Sequence, residues 1–386
     1  MDKLTELKSS FTEIFGGDSS TIKSYFSPGR VNLIGEHIDY NGGFVFPGAL
    51  TLGITGLYRK TEGNIIRLRS MNIDGEITID INSSIDFKES DSWGNYPKGV
   101  FNFLKKEGYS IPAGDFLFYS TVPDGSGLSS SAALEVLTAY MVLHLTNQKI
   151  DRVWLSQFTQ RVENQYVGVN CGIMDQFSVA NGKKNHAILL NCETLDFTLV
   201  PFDLGEYSLV IMNTNKKREL ADSKYNERRA ECDEVLVILN KENQYLNLCD
   251  ASIEQVDKLV TNEVLHRRAR HVVTENVRVL ESVKVLKEGN LKEFGILLNA
   301  SHKSLKEDYE VTGLELDSIV AAAVEHPDCL GARMTGAGFG GCAIAVVLSA
   351  SVPEFIEEVK AEYLQAVGLE ATFHISSIGD GVHFIE

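Results

Sequence analysis

The sequence lacks the features that mark several common classes of protein. Its six cysteines, at positions 171, 192, 232, 249, 329 and 342, show neither a C-x-x-C pair nor zinc-ligand spacing, so we interpret them as reduced thiols. No apolar run approaches the roughly 18 residues of a membrane span. The first residues have neither a signal-peptide core nor an Arg-rich transit pattern. We therefore expect a cytoplasmic protein.

Positive charge is also scarce. The chain has 36 Lys and Arg against 53 Asp and Glu, a formal net charge of -17, which argues against nucleic acid or an anionic membrane as a partner. A length of 386 residues favours two domains. An acidic protein that binds a polyphosphate needs local compensation from a cation, helix N-termini or a few placed Arg and Lys side chains.

The hydrophobic pattern predicts an α+β fold that changes character near residues 201–207. We place a domain boundary there and predict domains 1–205 and 206–386. Long helices and strands alternate in the second half, which is typical of a ferredoxin-like sandwich with an antiparallel sheet. Predicted helices cover 96–107, 132–145, 151–167, 219–240, 264–288, 313–325 and 353–366, and Leu4, Leu7 and Phe11 have helical spacing. Predicted strands cover 44–58, 65–70, 76–81, 116–122, 187–190, 197–200, 208–213, 330–335, 342–348 and 371–377.

A glycine-rich loop, VPDGSGLSSS at residues 122–131, lies between a predicted strand and a predicted helix. In this geometry backbone N–H groups and the helix dipole can bind phosphate. The loop contains no lysine, and the pattern G-x-x-x-x-G-K-[ST] is absent from the chain. We predict a phosphate loop of a different kind; the alternative is a turn with a serine N-cap.

A second polar segment, SPGRVNLIGEHIDYNGG at residues 27–43, contains Arg30, two carboxylates, His37 and an amide within a short stretch. Carboxylates and amides at fixed angles suit a ligand rich in hydroxyl groups, such as a sugar. The alternative is a solvated loop with His37 at the surface.

Two carboxylates further along the chain are candidates for chemistry. Glu163 falls at the edge of an apolar helix face and is either a rim carboxylate or a metal ligand. Asp175 has the apolar neighbours Ile173, Met174 and Phe177, so it needs a partner such as Arg30. A structural ion pair is the alternative for Asp175.

Two other motifs carry weaker signals. Gly336, Gly338 and Gly341 fit G-x-G-x-x-G, but an apolar strand follows where a dinucleotide-binding motif needs a helix, so we reject that interpretation. The segment is then a link between strands that could line a site. The basic cluster at residues 266–271 is interpreted as a solvated or ion-paired helix face.

The polar segment, the glycine loop and the late glycine-rich link follow one another along the chain in the order found in the GHMP small-molecule kinases, and the polar segment resembles the galactokinase signature. The resemblance extends from Ser27 to Cys342. It implies an α+β fold of two domains, a ribosomal S5 domain 2-like N-terminal domain and a ferredoxin-like C-terminal domain, with the active site between them.

The resemblance also implies a role for each matching residue. Asp175 would be the catalytic aspartate, and Arg30 would steady it and the transferring phosphoryl group. Ser131 and Glu163 would hold Mg²⁺. The implied sugar-binding residues are Glu36, His37, Ile38, Asp39 and Tyr225. The implied ATP-binding residues are Ser70, Trp93, Tyr96, Gly125, Ser126, Gly127, Leu128, Ser129, Ser130 and Ser131.

The implied reaction is ATP-dependent phosphorylation of the anomeric hydroxyl of α-D-galactose, in galactose metabolism, without an obligate protein partner. Ile38 departs from the commoner signature, which has threonine, and N-acetylgalactosamine kinases also have isoleucine there. Asn41-Gly42-Gly43 follows the galactokinase form. Two alternatives remain: another sugar 1-kinase, such as one for N-acetylgalactosamine, and a non-catalytic galactose/ATP sensor that controls transcription through a partner protein.

Overall fold

The computed structural model describes residues 3–123, 125–216 and 221–386, and these ranges form eleven α-helices and thirteen β-strands. The helices are α1 Lys3–Phe15, α2 Asn95–Lys106, α3 Ser130–Leu145, α4 Arg152–Val162, α5 Met174–Asn181, α6 Ala221–Leu239, α7 Ile253–Leu259, α8 Glu263–Lys287, α9 Leu291–Glu307, α10 Gly313–Glu325 and α11 Val352–Val367. The strands are β1 Lys23–Asn32, β2 Phe44–Val45, β3 Pro47–Lys60, β4 Ile65–Ser70, β5 Glu76–Asp80, β6 Gly114–Ser120, β7 His186–Asn191, β8 Phe197–Pro201, β9 Tyr207–Asn213, β10 Cys329–Thr335, β11 Cys342–Leu348, β12 Thr372–Ser376 and β13 His383–Phe384.

The first half of the chain is built on a six-stranded sheet with the order β13-β1-β3-β6-β4-β5. Its pairs are antiparallel except for β4 and β6, which run parallel. Helices α2, α3 and α4 pack with this sheet in one apolar cluster. Most of α3 is buried because its side chains are apolar on almost every face. This burial fixes the position of the N-terminus of α3, where the glycine loop ends.

The second half contains a four-stranded antiparallel sheet with the order β10-β11-β9-β12. Its central strand β11 is apolar and almost entirely buried, which explains its uninterrupted hydrophobic sequence. Helices α9 and α10 contact β10, and α10 and α11 contact each other. The predicted antiparallel sheet is therefore present. Because a strand and not a helix follows Gly341, rejecting the dinucleotide motif is also confirmed.

A third sheet, β2-β7-β8, pairs the short strand between β1 and β3 with the two strands that come just before the second half of the chain. One continuous apolar core contains residues from both halves, including Phe46 and Ile344. The last strand, β13, returns to pair with β1. We propose that the domain boundary lies between residues 205 and 206, in the turn that joins β8 to β9, with β13 completing the N-terminal sheet.

Among the described residues, five helices and strands lie outside the predicted elements: β1, α5, α7, α9 and β13. Strand β1 was not predicted, because Ser24, Ser27 and Asn32 give it a polar sequence although all three are fully buried. Helix α9 was not predicted either, and neither were the shorter helices α5 and α7. In the part of the chain that the structure describes, no helix combines the length and apolar character that crossing a membrane requires.

Candidate active site

A cavity of about 720 Å³, which we call the central cavity, opens where the glycine loop, the polar segment and the late glycine-rich link meet. Thirteen of the predicted site residues line it, as do several residues that were not predicted. The predicted ones are Arg30, Glu36, His37, Asp39, Tyr96, Gly125, Gly127, Ser129, Ser130, Ser131, Glu163, Asp175 and Tyr225. The additional ones include Cys171, Gly172, Ser223, Asn226, Gly336 and Ala337.

Asp175 lies in the first turn of α5 and faces the cavity with 28% of its side chain exposed. Two nitrogens of Arg30, Nε and Nη2, each lie 2.8 Å from Asp175 Oδ1. The Ser129 hydroxyl donates a hydrogen bond of 2.5 Å to Oδ2. Arg30 and Ser129 therefore fix the orientation of the carboxylate.

The glycine loop is held against β1 by the same arginine. Arg30 Nη1 donates a hydrogen bond of 2.6 Å to the Gly127 carbonyl, and the Arg30 backbone N–H donates one of 3.1 Å to the Leu128 carbonyl. Gly125, Gly127 and Ser129 all have left-handed backbones, with φ of 65°, 73° and 61°. Helix α3 begins at the next residue, so its free N–H groups and its dipole face the cavity. This arrangement is suited to binding phosphate.

Glu163 begins a π-helical turn, Glu163–Val167, at the end of α4. The buried Gln176 amide donates a hydrogen bond of 2.5 Å to Glu163 Oε2, and the Ser131 hydroxyl also hydrogen-bonds to this carboxylate. Burial, and then the Asp175 charge, raises the pKa of Glu163 to about 7. Adjacent hydroxyl and carboxylate oxygens suit Mg²⁺. This ion binds to few protein groups, and water molecules and substrate phosphates supply its other ligands. Among the described residues, no group of three or more His, Cys, Asp or Glu could hold a metal ion.

Glu36 is almost completely buried, yet both of its oxygens have partners from other elements. The Gly336 N–H donates a hydrogen bond of 2.7 Å to Oε1, and the Asn32 amide donates one of 2.8 Å to Oε2. The fully buried Arg333 pairs with Oε1 at 3.2 Å and donates to the carbonyls of Asn32 and Leu33. A single ion pair thus connects β10 in the second half to the polar segment in the first.

Substitution of Arg333 by alanine should lower the free energy of unfolding by about 3–5 kcal/mol, because it leaves the Glu36 carboxylate buried without a charged partner. Denaturant unfolding measures this effect. Arg161→Ala is the matched control: it breaks the exposed ion pair with Glu107 and should cost about 0–1 kcal/mol. Equal stability of the two variants would show that the Arg333 pair does not stabilise the fold.

Asp39 lies in a short 3₁₀ turn, Asp39–Asn41, and is packed against Gly172. A Cβ at position 172 would overlap the Asp39 carboxylate and displace it. Burial, and then the Asp175 charge, raises the pKa of Asp39 to about 7. Asp39 and Asp175 thus place two acceptors on the same wall, the pattern that neighbouring hydroxyl groups of a ligand require.

The comparisons with known proteins agree with this geometry. The galactokinase galactose-binding signature matches residues 9–60, the GHMP kinase N-terminal domain matches 95–183 and the GHMP kinase C-terminal domain matches 282–365. A galactokinase from Enterococcus faecalis is 51% identical over 97% of this chain and 98% of its own length. A galactokinase from Clostridium tetani is 50% identical over 99% of this chain and 98% of its own length. This chain belongs to the galactokinase family.

Solved structures support the same assignment. A Lactococcus lactis galactokinase complexed with galactose superposes with a TM-score of 0.95 at 46% identity, over 98% of this chain and 99% of that one. A Methanococcus jannaschii mevalonate kinase, at 18% identity and a TM-score of 0.66, shares the fold. The predicted two-domain GHMP kinase fold, the predicted galactokinase identity and the predicted class of enzyme, a phosphotransferase with an alcohol acceptor, are confirmed.

Five residues predicted from the galactokinase resemblance are not among those that line the central cavity. Three of them are packed inside the protein: Ile38 is fully buried in the core, and Ser126 and Leu128 are buried within the loop. Ser70 ends β4, where its hydroxyl accepts from the Asn72 N–H, and Trp93 packs edge-on against Phe118. Their roles stay predictions.

Other predictions can be compared directly with the structure. All six cysteines are free thiols. The basic cluster of α8 is ion-paired, as predicted: Arg268 contacts Glu231 and Glu310 at 2.9 and 2.6 Å. However, His271 in the same cluster is fully buried and bonds to the Glu36 carbonyl at 3.0 Å. The helix pattern alone does not distinguish this buried position from the exposed ones.

Proposed function

We propose that this protein transfers the γ-phosphoryl group of ATP to the anomeric hydroxyl of α-D-galactose, giving galactose 1-phosphate and ADP. The observation that carries the proposal is the Asp175–Arg30 pair, which faces the same cavity as the glycine loop and the polar segment. The galactose in the solved Lactococcus lactis relative supports the choice of sugar.

The proposed mechanism depends on position and charge more than on deprotonation. A loose phosphoryl-transfer transition state places charge on the phosphoryl oxygens and the bridging oxygens. Asp175 would orient the anomeric hydroxyl and accept its proton late, while Arg30 and the backbone N–H groups of the loop stabilise the transferring group. The N-terminus of α3 adds its dipole to the same region.

Ser131 and Glu163 are the residues that would hold Mg²⁺, which supplies positive charge at the phosphates when it is bound. Together with Arg30 and the α3 N-terminus, this site would offset locally the chain's net charge of -17. A cytoplasmic location and a role in galactose metabolism complete the proposal, supported by the free thiols and by the family.

A coupled assay of ADP release tests the proposal with Mg-ATP and galactose, N-acetylgalactosamine, glucose or no sugar. We expect turnover with galactose. Turnover only with another sugar would keep the mechanism and replace the substrate, and Ile38 would be the first residue to substitute. Tight binding of galactose and ATP without ADP release would instead favour the non-catalytic sensor.

The KM for galactose should rise as the pH falls from about 8 to about 6. Asp39, with a pKa of about 7, is protonated below that pH and loses the charge with which it accepts hydrogen bonds from the sugar. Steady-state kinetics at saturating Mg-ATP separate this effect from protonation of Glu163. Asp39→Asn should bind galactose weakly at every pH, and an unchanged pH dependence in that variant would assign the effect to another group.

A further inference from the structure

A chain of hydrogen bonds runs from the wall of the central cavity into the core. His37 Nδ1 lies 2.9 Å from the Tyr40 hydroxyl, and the Tyr40 hydroxyl lies 2.8 Å from that of Tyr309. Cys232 Sγ lies 3.1 Å from the Tyr309 hydroxyl. Tyr309 and Cys232 are buried, and neither has a role in the proposed reaction.

The group that donates each hydrogen bond in this chain can be assigned by starting from His37, at the end beside the cavity. The Ala337 carbonyl lies 3.1 Å from His37 Nε2 and can only accept, so Nε2 carries the proton. Burial lowers the pKa of His37 to about 3, which keeps the ring neutral and leaves Nδ1 without a proton. Tyr40 must then donate to His37, Tyr309 to Tyr40, and the Cys232 thiol to Tyr309. Each donor has one acceptor.

Tyr309 is held rigidly at the far side of this chain. It lies between α9 and α10, where Arg228 Nε donates 2.7 Å to its carbonyl. Arg268 Nη1 donates 2.6 Å to the carbonyl of the preceding residue, Asp308. The ring centroid of Tyr309 is 5.0 Å from that of His37. Tyr309 therefore gives His37 a fixed support from the second half of the chain.

His37 needs such support because its backbone is in the left-handed region, with φ of 62°, a conformation that is unfavourable for a residue with a side chain. The Asn41 amide donates 2.9 Å to its carbonyl, and both ring nitrogens have protein partners. The ring therefore offers no free nitrogen to a ligand. The His37 ring instead forms part of the cavity wall. Its centroid lies 5.5 Å from that of the Tyr225 ring.

We propose that Tyr309 is a positioning residue for sugar binding. Its hydroxyl fixes Tyr40, which fixes the His37 ring and, through that ring, the wall of the cavity beside Tyr225. The expected change in the KM for galactose rests on the proposed function. The expected protonation of the His37 ring rests on the hydrogen-bond chain alone.

The test is Tyr309→Phe, which removes one hydroxyl and keeps the ring. The KM for galactose should rise about 3- to 10-fold, the size of one lost hydrogen bond between neutral groups, while kcat and the KM for ATP stay unchanged. Tyr363→Phe is the matched control: Tyr363 is also fully buried, and its hydroxyl donates 2.9 Å to the Thr214 carbonyl. It should leave the galactose KM unchanged.

A double-mutant cycle shows whether Tyr309 acts through His37. In a His37→Ala background, Tyr309→Phe should have no further effect on galactose KM. An unchanged KM in the single Tyr309→Phe variant, or an equal effect with and without His37, would overturn the proposal.

Nitrogen-15 NMR of the His37 ring tests the chain independently of turnover. The wild-type protein should have a protonated Nε2 and a bare Nδ1, and Tyr309→Phe should shift the Nδ1 resonance. A protonated Nδ1 in the wild type would refute the direction of the chain even in an active enzyme. An inactive wild type with the expected spectrum would instead refute the proposed function and leave the chain in place.

Discussion

Replacing Asp175 by asparagine should lower kcat by about 10³-fold, while galactose still binds. Asparagine has nearly the same shape, so the fold and the cavity should persist. What it lacks is the charge that pairs with Arg30 at 2.8 Å and the capacity to take a proton from the sugar hydroxyl. The coupled ADP assay measures turnover, and isothermal titration calorimetry measures galactose binding.

The control for this variant is Asp233→Asn on the exposed face of α6, which removes the same charge at a distance from the cavity. It should retain wild-type kcat. An Asp175→Asn variant with unchanged kcat would remove Asp175 from the chemistry. A variant that neither turns over nor binds galactose would make Asp175 primarily a binding residue.

Replacing Arg30 by alanine should lower kcat by about 10²- to 10³-fold, as the loss of one charge contact to a transition state typically does. Arg30 contacts both Asp175 and the Gly127 carbonyl, so the substitution also releases the loop. Some increase in the KM for ATP should therefore accompany the loss of kcat. Steady-state kinetics with each substrate varied in turn separate the two effects.

Arg30→Lys is the informative comparison for this site. It keeps the positive charge, but its three N–H donors all lie on one nitrogen and cannot reproduce the planar fork with which the guanidinium bonds to Asp175 and to the Gly127 carbonyl. Its kcat should fall between those of the wild type and Arg30→Ala. If both variants change only KM, Arg30 binds substrate and does not stabilise the transition state.

The parts of the fold that could be predicted from the sequence are those with a long or uninterrupted apolar run. Helix α3 is largely apolar and strand β11 is apolar throughout, so their existence follows from the sequence. Strand β1 follows the opposite logic. Arg30 is only 3% exposed, and its side chain bonds to Asp175 and to the loop, while the backbone N–H of the buried Asn32 bonds to Thr335 of β10. Those partners are distant in sequence and leave no local pattern.

Helix α9 could not be predicted for a related reason. Gly295 interrupts its pattern, yet it lies against the Leu330 carbonyl of β10, where a Cβ would clash. The residue that weakens the helix signal is the one that permits the packing. Only the position of β10, set by the C-terminal sheet, explains a glycine inside this helix.

The candidate site shows the same division. Nine of the thirteen predicted residues that line the cavity come from the polar segment and the glycine loop, because hydroxyl, carboxylate and glycine residues are concentrated there. Residues that act through packing or through a long-range bond were not identified. Gln176 supports Glu163 from inside α5, and Gly172 leaves room for Asp39. Arg333 and Tyr309 belong to elements far along the chain, and only the structure brings them to the site.

The central claim, phosphoryl transfer to the anomeric oxygen of galactose, is tested most directly by the structure of the product. Phosphorus-31 and proton NMR of the reaction with galactose and Mg-ATP should show one new phosphate ester, with its phosphorus coupled to an α-anomeric proton. Coupling to the protons at C6, or ADP release without a sugar phosphate, would contradict the account.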